Sequence, residues 1–443
     1  METASAGLVV EVTEDLDEWE RHAGEYDELC SMTARPDPFG STSFLRAYTD
    51  ESEFFPGGRG RSLRLYSVRE RGTLIGHVAL RQTRVRVGPA PIPLERRLDF
   101  LITHDHDEPR IVSRSIDEER VTRAVLDHLM ADPRWRMIEL RAQRPDSPIA
   151  RLAQQLASGR RDMRVRQIPI APYCQVPLPW TSIDGYFHAL SKRMRSNVSR
   201  QVRRLYASGR VELVLGEGPD VARMLPAFLD LEQRSWKAGT DAALARSAER
   251  VRFFERITGG SAGLEPSIVG VVRDGVLIAA LISGRYDATM WAYEMAFDDA
   301  HGDLGPGQLL LLLAAHEAFG HDVRSLQFFQ NFGYYKHRWL ADDVAVCNVQ
   351  IVRTRSFHGA RAWIGDRRHA AATDTRPDVG RDDNVELANQ AKRDIGGVAR
   401  DVARDDRSRH LLERGLRDAN GVRLLSEAEA MAVLPFPIET APR

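Results

Sequence analysis

The dipeptide Asp274-Gly275 constrains this chain more than any other pair of residues. It sits between Ser267-Ile268-Val269-Gly270-Val271-Val272-Arg273 and a second run from Val276 to Gly284, both rich in β-branched and apolar residues. A two-residue Asp-Gly link between such runs specifies a tight antiparallel hairpin, because both turn residues must tolerate positive φ. Thr289 to Phe297 follows as a third, aromatic-rich strand. Gly302-Asp303-Leu304-Gly305-Pro306-Gly307 then leads into Gln308 to Ala318, a run of strong helix formers. Glycines at a helix start let backbone N–H groups approach an anion. Ser325 to Phe329 reads as the next strand, and Asn331 to Trp339 as a polar–aromatic loop or short helix before a last strand ending near Val352.

The remainder of the 443 residues exceeds one ordinary core, so two domains plus an appendage are expected. Upstream, Leu8 to Val12, Ser62 to Val68, Thr73 to Leu80, Leu98 to Ile102 and Trp135 to Leu140 read as strands, and Asp117 to Met130 and Ile149 to Leu156 as helices. Arg71-Gly72 marks a second hairpin. Ile168 to Leu178 is extended and leads into the second domain. Asp184 to Ala207 carries apolar residues at spacings of three and four and reads as one helix. Off that stripe lie Lys192, Arg193, Arg195, Arg200, Arg203 and Arg204. Asp220 to Trp236 and Arg250 to Ile257 are further helices. Past Val352 the chain turns basic, then proline-interrupted, then forms charged amphipathic helices around Leu387 to Val402 and Leu411 to Leu416. This tail is too poor in aromatics to hold a core of its own. The expected fold is α+β (mixed α/β): two similar domains in tandem, each a mixed β-sheet flanked by helices, at 1–178 and 179–360, with a charged linker and helical tail at 361–443.

Charge and cysteine usage exclude several classes. The formal net charge of −1 argues against a general DNA binder. Three scattered cysteines, Cys30, Cys174 and Cys347, fit a reducing, cytoplasmic setting. The first residues lack a signal-peptide pattern, and the longest apolar run, Leu309 to Ala315, is too short for a transmembrane segment. Among catalytic patterns, Gly-X-Ser-X-Gly is absent. His104-Asp105-His106-Asp107-Glu108 has the residue types of a metal site but no remote ligands, so no metal is expected.

The segment that begins with the hairpin resembles the GNAT acyltransferase superfamily, in its CelD-like branch related to the FemAB aminoacyl transferases. The residues that carry the resemblance are Pro306-Gly307-X-Leu-Leu, Gly333-X-Tyr335-Lys336-X-X-Trp339 and Lys192-Arg193-Met194-Arg195-Ser196-Asn197, and more loosely Phe39-Gly40-Ser41-Thr42-Ser43-Phe44. It covers Thr181 to Val352 best. The sequence departs from the family at Gly302, where a phosphate-contacting Gln or Arg is usual, and at Gln327-Phe328-Phe329-Gln330, where an acid is usual. The resemblance implies an acyl-CoA donor (acetyl-CoA or a longer acyl-CoA), with pantetheine along a strand edge and pyrophosphate at the helix start.

Candidate residues follow. Gly305, Gly307 and Gln308 would meet the pyrophosphate, and the resemblance adds Arg195 and Asn197 as phosphate contacts. Glu294, beside Trp291 and Tyr293, is a candidate base, since desolvation raises a carboxylate toward neutrality. Tyr335 is a candidate acid for the leaving thiolate, and Lys336 a holder of the oxyanion or of a substrate carboxylate. Trp236, Tyr293 and Trp339 are candidate substrate walls. The resulting expectation is an N-acyltransferase acting on an amine or amino-sugar acceptor, in cell-envelope or polysaccharide synthesis. Direct attack needs no covalent enzyme intermediate. Two alternatives stand beside it: a FemAB-like transferase drawing on aminoacyl-tRNA, and a non-catalytic GNAT-fold scaffold whose tail is available to a protein partner.

Overall fold

The computed structural model describes residues 7–50, 61–86, 94–101, 108–240, 243–330, 334–356, 402–419 and 421–436. The chain divides into two units: Met1–Tyr173 with Gln330–Phe332 and Asp343–Val379, and Cys174–Phe329 with Gly333–Asp342 and Gly380–Arg443. His104 and His106, and the helix expected around Leu387 to Val402, lie outside the described residues.

Unit 1 begins with β1 (Leu8–Thr13) and three helices, α1 (Leu16–Glu20), α2 (Ala23–Ser31) and α3 (Thr42–Asp50). β2 (Arg61–Glu70), β3 (Thr73–Arg86), β4 (Leu94–Phe100) and the short β5 (Val112–Ser113) follow, then α4 (Glu118–Ala131), β6 (Met137–Gln143), α5 (Pro148–Ala157) and β7 (Met163–Pro177), within which the chain leaves the unit. The sheet runs β1-β2-β3-β4-β6, with the strand Asp342–Arg353 beyond β6. β1 to β4 pair antiparallel, whereas β4 and β6 are parallel and pair over three residues, Arg97–Met137 to Asp99–Glu139. The apolar stripe of α4 (Val121, Ala124, Val125, Leu129) is buried with Val68, Val78, Leu98 and Ile138 of the sheet. Period-3.6 and period-2 patterns thus meet in one core.

Unit 2 contains α6 (Ile183–Ala189), α7 (Lys192–Ala207), β8 (Val211–Glu217), α8 (Leu225–Glu232), α9 (Ala248–Thr258), β9 (Glu265–Arg273), β10 (Val276–Tyr286), β11 (Thr289–Phe297), α10 (Pro306–Gly320), β12 (Ser325–Gln330) and α11 (Tyr334–Arg338). β13 (Asp342–Arg353) is the strand already placed in unit 1, and α12 (Val402–Asp418), β14 (Val422–Leu425) and α13 (Glu427–Val433) close the described chain. The sheet runs β12-β11-β10-β9-β8-β14. Asp274 and Gly275 take φ of 50° and 79°, the left-handed pair that a two-residue hairpin demands. Leu309 to Leu313 are all buried, so α10 is apolar around its circumference and lies inside the core with α7, β9 and β10.

Three expectations change. The helix expected from Asp184 to Ala207 is two helices, because Leu190 is extended and Ser191 caps α7 by accepting from the Met194 N–H. The helix expected from Asp220 to Trp236 is a 3₁₀ turn, Pro219–Met224, then α8, with Trp236 opening another 3₁₀ turn. Of the tail expected at 361–443, the described residues 402–419 and 421–436 belong to unit 2. β14 pairs antiparallel with β8, from Val422–Gly216 to Leu425–Leu213, and Leu412, Val422, Leu425, Ala430 and Leu434 are buried. Ser408 Oγ donates to Asp230 Oδ2 at 2.6 Å. Too few apolar residues for an independent core are enough to cover the edge of β8. Among the described residues, no helix is long and apolar enough to cross a membrane.

Candidate functional site

Among the described residues, β11 and β12 are parallel neighbours for three residue pairs, Thr289–Ser325, Met290–Leu326 and Trp291–Gln327. Beyond Trp291 the described residues show no further pair between them. On its other side β11 stays paired with β10, but the register jumps: Ile282 faces Glu294 and Ser283 faces Ala292, so Tyr293 is an extra residue, a β-bulge. A bulge leaves its residue outside the regular ladder and re-aims the strand. Tyr293 therefore sits where β11 parts from β12, with strand backbone available to an extended ligand.

β11 runs through a 3₁₀ turn (Asp299–Leu304) into α10. Gly305 is left-handed (φ 66°, ψ 40°) and Pro306 occupies the first helical position. A side chain at Gly305 would collide with Gln201 of α7, whose Cδ lies 2.5 Å from where a Cβ would stand. The first turn of α10 holds no acidic residue and no side chain caps it. Its N-terminal N–H groups and the positive end of the helix dipole are thus open to an anion. The corresponding helix of unit 1, α4, also joins two parallel strands paired over three residues, yet its first turn carries Glu118 and Glu119, with buried Asp117 just before it. Carboxylates there repel an anion, so the two units differ at the point that matters for a phosphate.

α7 lies against α10 and the 3₁₀ turn, with Lys192, Arg193, Arg200, Arg203 and Arg204 exposed. Arg204 reaches Asp303 at 3.5 Å, an exposed and weak pair. Asn197 Oδ1 accepts from Arg200 at 2.8 Å, and its Nδ2 donates to Gln201 at 3.4 Å. Arg195 differs from its expected phosphate role: its guanidinium donates to the His188 and Leu190 carbonyls, each at 2.5 Å, and so closes the C-terminal end of α6.

Glu294 is buried, as a desolvated base would be, but it is not alone. Its Oε2 accepts from the Lys237 ammonium and its Oε1 from Arg250 at 2.9 Å. Two cations on one carboxylate make an anchored anion, not a lone carboxyl in an apolar pocket. Glu232, at the end of α8, is fully enclosed; Oε2 accepts from the Ala245 N–H at 3.3 Å and Oε1 has no hydrogen-bond partner. Burial and the Glu294 charge push its pKa up. Sequence reading missed Glu232, Lys237 and Arg250. The available signal was Glu232 falling four residues after Phe228 on the buried stripe of α8. Tyr293 is buried edge-on to Phe254, 6.2 Å between centroids. Trp236 is 48% exposed, next to buried Lys237, so it can still line a substrate.

Lys336 is buried as well. Its ammonium donates to the Phe328 carbonyl at 2.5 Å, a group on β12 just past the last pair with β11. It is thus tied to the parting strand. The Tyr335 side chain lies outside the described residues; its backbone begins α11 with Tyr334. Trp339 is 1% exposed, packs beside Tyr186 and donates to Gln308 Oε1 at 3.2 Å. Its expected place as a substrate wall gives way to a core position, and Gln308's side-chain oxygen is occupied by the same bond.

Residues 192–337 match the family model described as Acetyltransferase (GNAT) domain. No curated protein matches the chain. The solved structure of FemX is similar at a TM-score of 0.51 and 12% identity, over 77% of this chain and 96% of that one. A tandem GNAT protein from the clavulanic acid biosynthesis pathway matches at a TM-score of 0.42 and 13% identity, over 79% and 99%. The C-terminal domain of a putative lysylphosphatidylglycerol synthetase from Agrobacterium fabrum gives 0.46 and 8%, over 78% and 95%. Residues 192–337 thus match the GNAT acetyltransferase domain family, in a chain whose fold is similar to that of FemX.

Proposed function

We propose that unit 2 transfers an acyl group from a thioester, an acyl-CoA, to an amine. One observation carries the reading: β11 and β12 part after three pairs, at the Tyr293 bulge, on the strand that leads into the acid-free start of α10. An extended pantetheine arm needs strand backbone to bond, and a pyrophosphate needs a helix N-terminus; both lie on one continuous segment. A backbone N–H at the bulge would polarise the thioester carbonyl. The acceptor ammonium would meet Glu294, which Lys237 and Arg250 hold in place, under the exposed ring of Trp236. The ammonium gives a proton to solvent water before direct attack; collapse of the tetrahedral adduct completes the C–N bond and breaks the C–S bond, and Tyr335 protonates the departing CoA thiolate and regains its proton from solvent. Gly305 and Gly307 would take the pyrophosphate, with Asn197 and the Arg200 and Arg204 side chains of α7 nearby.

The exposed cations of α7 favour one second reading, an aminoacyl-tRNA donor, because a basic helix beside the phosphate end would also suit an RNA backbone. Calorimetric titration separates the two. Acetyl-CoA binding that weakens at least tenfold when pantetheine alone replaces CoA supports the thioester reading. Absence of any binding to acetyl-CoA or longer acyl-CoAs, with salt-sensitive tRNA binding in its place, refutes it.

A further inference from the structure

The far end of α10 carries a different feature. The ends of β8 and β10, the start of β9 and the last turn of α10 line an open cleft of about 530 Å³, within the roughly 300–1,000 Å³ of small-molecule sites. Pro219, Leu264, Pro266 and Met290 give it apolar walls. Two of its carboxylates are already paired: Glu217 with His321 Nε2 at 2.9 Å, and Glu265 with Arg285 Nε at 3.0 Å. The third, Glu317, makes no hydrogen bond and no ion pair among the described residues, although it is half-buried. Burial pushes its pKa up, and His321 is the main group opposing that. It also stands in the last turn of α10, which has no basic residue. The helix dipole is negative there and disfavours an acid. Two local rules are broken at one residue that faces a cleft, and such breaks mark positions kept for something other than stability.

We propose that this cleft binds an organic cation, a primary ammonium on an apolar body, with Glu317 as its counter-charge. The ammonium completes the one unpaired carboxylate and meets the negative end of α10. The body lies against Leu264, Pro266 and Met290. The site is separate from the phosphate end: α10 has 15 residues, which place its two ends about 22 Å apart at ~1.5 Å per residue. The binding claim does not depend on acyl transfer.

Met290 lines the cleft and supplies the probe. Full-length protein carrying ¹³C-methyl methionine, with the Met290 signal assigned through Met290→Leu, is titrated at pH 8 with hexylamine and, separately, with hexanol. Hexylamine is expected to shift the Met290 methyl saturably, with hexanol at least tenfold weaker. Glu317→Gln, which keeps the side-chain shape, is expected to erase that preference. A Met290 signal that does not move, equal affinities for the two probes, or a preference retained in Glu317→Gln would each overturn the proposal. If Glu317→Gln does not fold, the wild-type preference decides alone, and its absence refutes the site.

Discussion

Replacing Glu294 by Gln tests whether this residue is an anchored anion. The side chains of Glu294, Lys237 and Arg250 are 8%, 10% and 17% exposed. The substitution keeps the shape and leaves two largely buried cations without their shared partner. Breaking a buried pair from one side costs about 3–5 kcal/mol. Glu232 moderates that loss, because removing the Glu294 charge removes one of the causes that raise its pKa. The lower figure of about 3 kcal/mol is therefore expected at pH 7. For a unit of this size it corresponds to a fall in Tm of roughly 6–12 °C. Urea denaturation of the variant, of Glu232→Gln and of the double variant gives the coupling directly. Glu232→Gln alone should be neutral or stabilising, since it discharges an enclosed carboxylate with an unmet oxygen. A loss below about 1 kcal/mol for Glu294→Gln would show that Lys237 and Arg250 do not depend on it and would restore the free-base reading.

Three further predictions address other parts of the chain. Gly307→Glu should weaken acetyl-CoA binding at least tenfold, about 1.4 kcal/mol, through charge alone, because a Cβ there meets only Phe297 at an ordinary 3.7 Å; calorimetry showing unchanged affinity would remove α10 from the phosphate site. Truncation after residue 401 should destabilise unit 2 and lower its solubility, since β8 loses β14 and Asp230 loses Ser408; a truncated protein with unchanged urea midpoint would contradict this. In unit 1, burial pushes the His77 pKa down to about 3, so the stability it contributes is present above its unfolded value near 6.5 and is lost as pH falls toward 3, by up to about 1.4 kcal/mol per pH unit. His77→Gln should flatten the urea midpoint between pH 6.5 and 5, and an unchanged slope would show that His77 does not titrate with unfolding.

Much of unit 2 was legible because local chemistry and tertiary packing agree there. Asp274-Gly275 admits one tight turn, Thr289 to Phe297 matches β11 end to end, and the leucine run of α10 leaves few alternatives to a buried helix. What was not legible depends on partners distant in sequence. The Tyr293 bulge is a mismatch between two strands and leaves no mark in either. Lys237, Arg250 and Glu294 meet from three elements, so the fate of Glu294 could not be read from its neighbours on β11. Arg195 has the composition of a phosphate ligand, yet its reach to the end of α6 appears only once the helix breaks at Leu190. The tail reads as an appendage because its sparse apolar residues complete the edge of β8 and build nothing of their own.

A structure of the protein with acetyl-CoA bound decides whether β11 and the start of α10 hold the donor. Pantetheine is expected in the gap between β11 and β12, the thioester carbonyl oxygen within about 3 Å of a backbone N–H at the Tyr293 bulge, and the pyrophosphate at Gly305 to Gly307. Acetyl-CoA found away from that gap, or at the acid-lined start of α4 in unit 1, would contradict it.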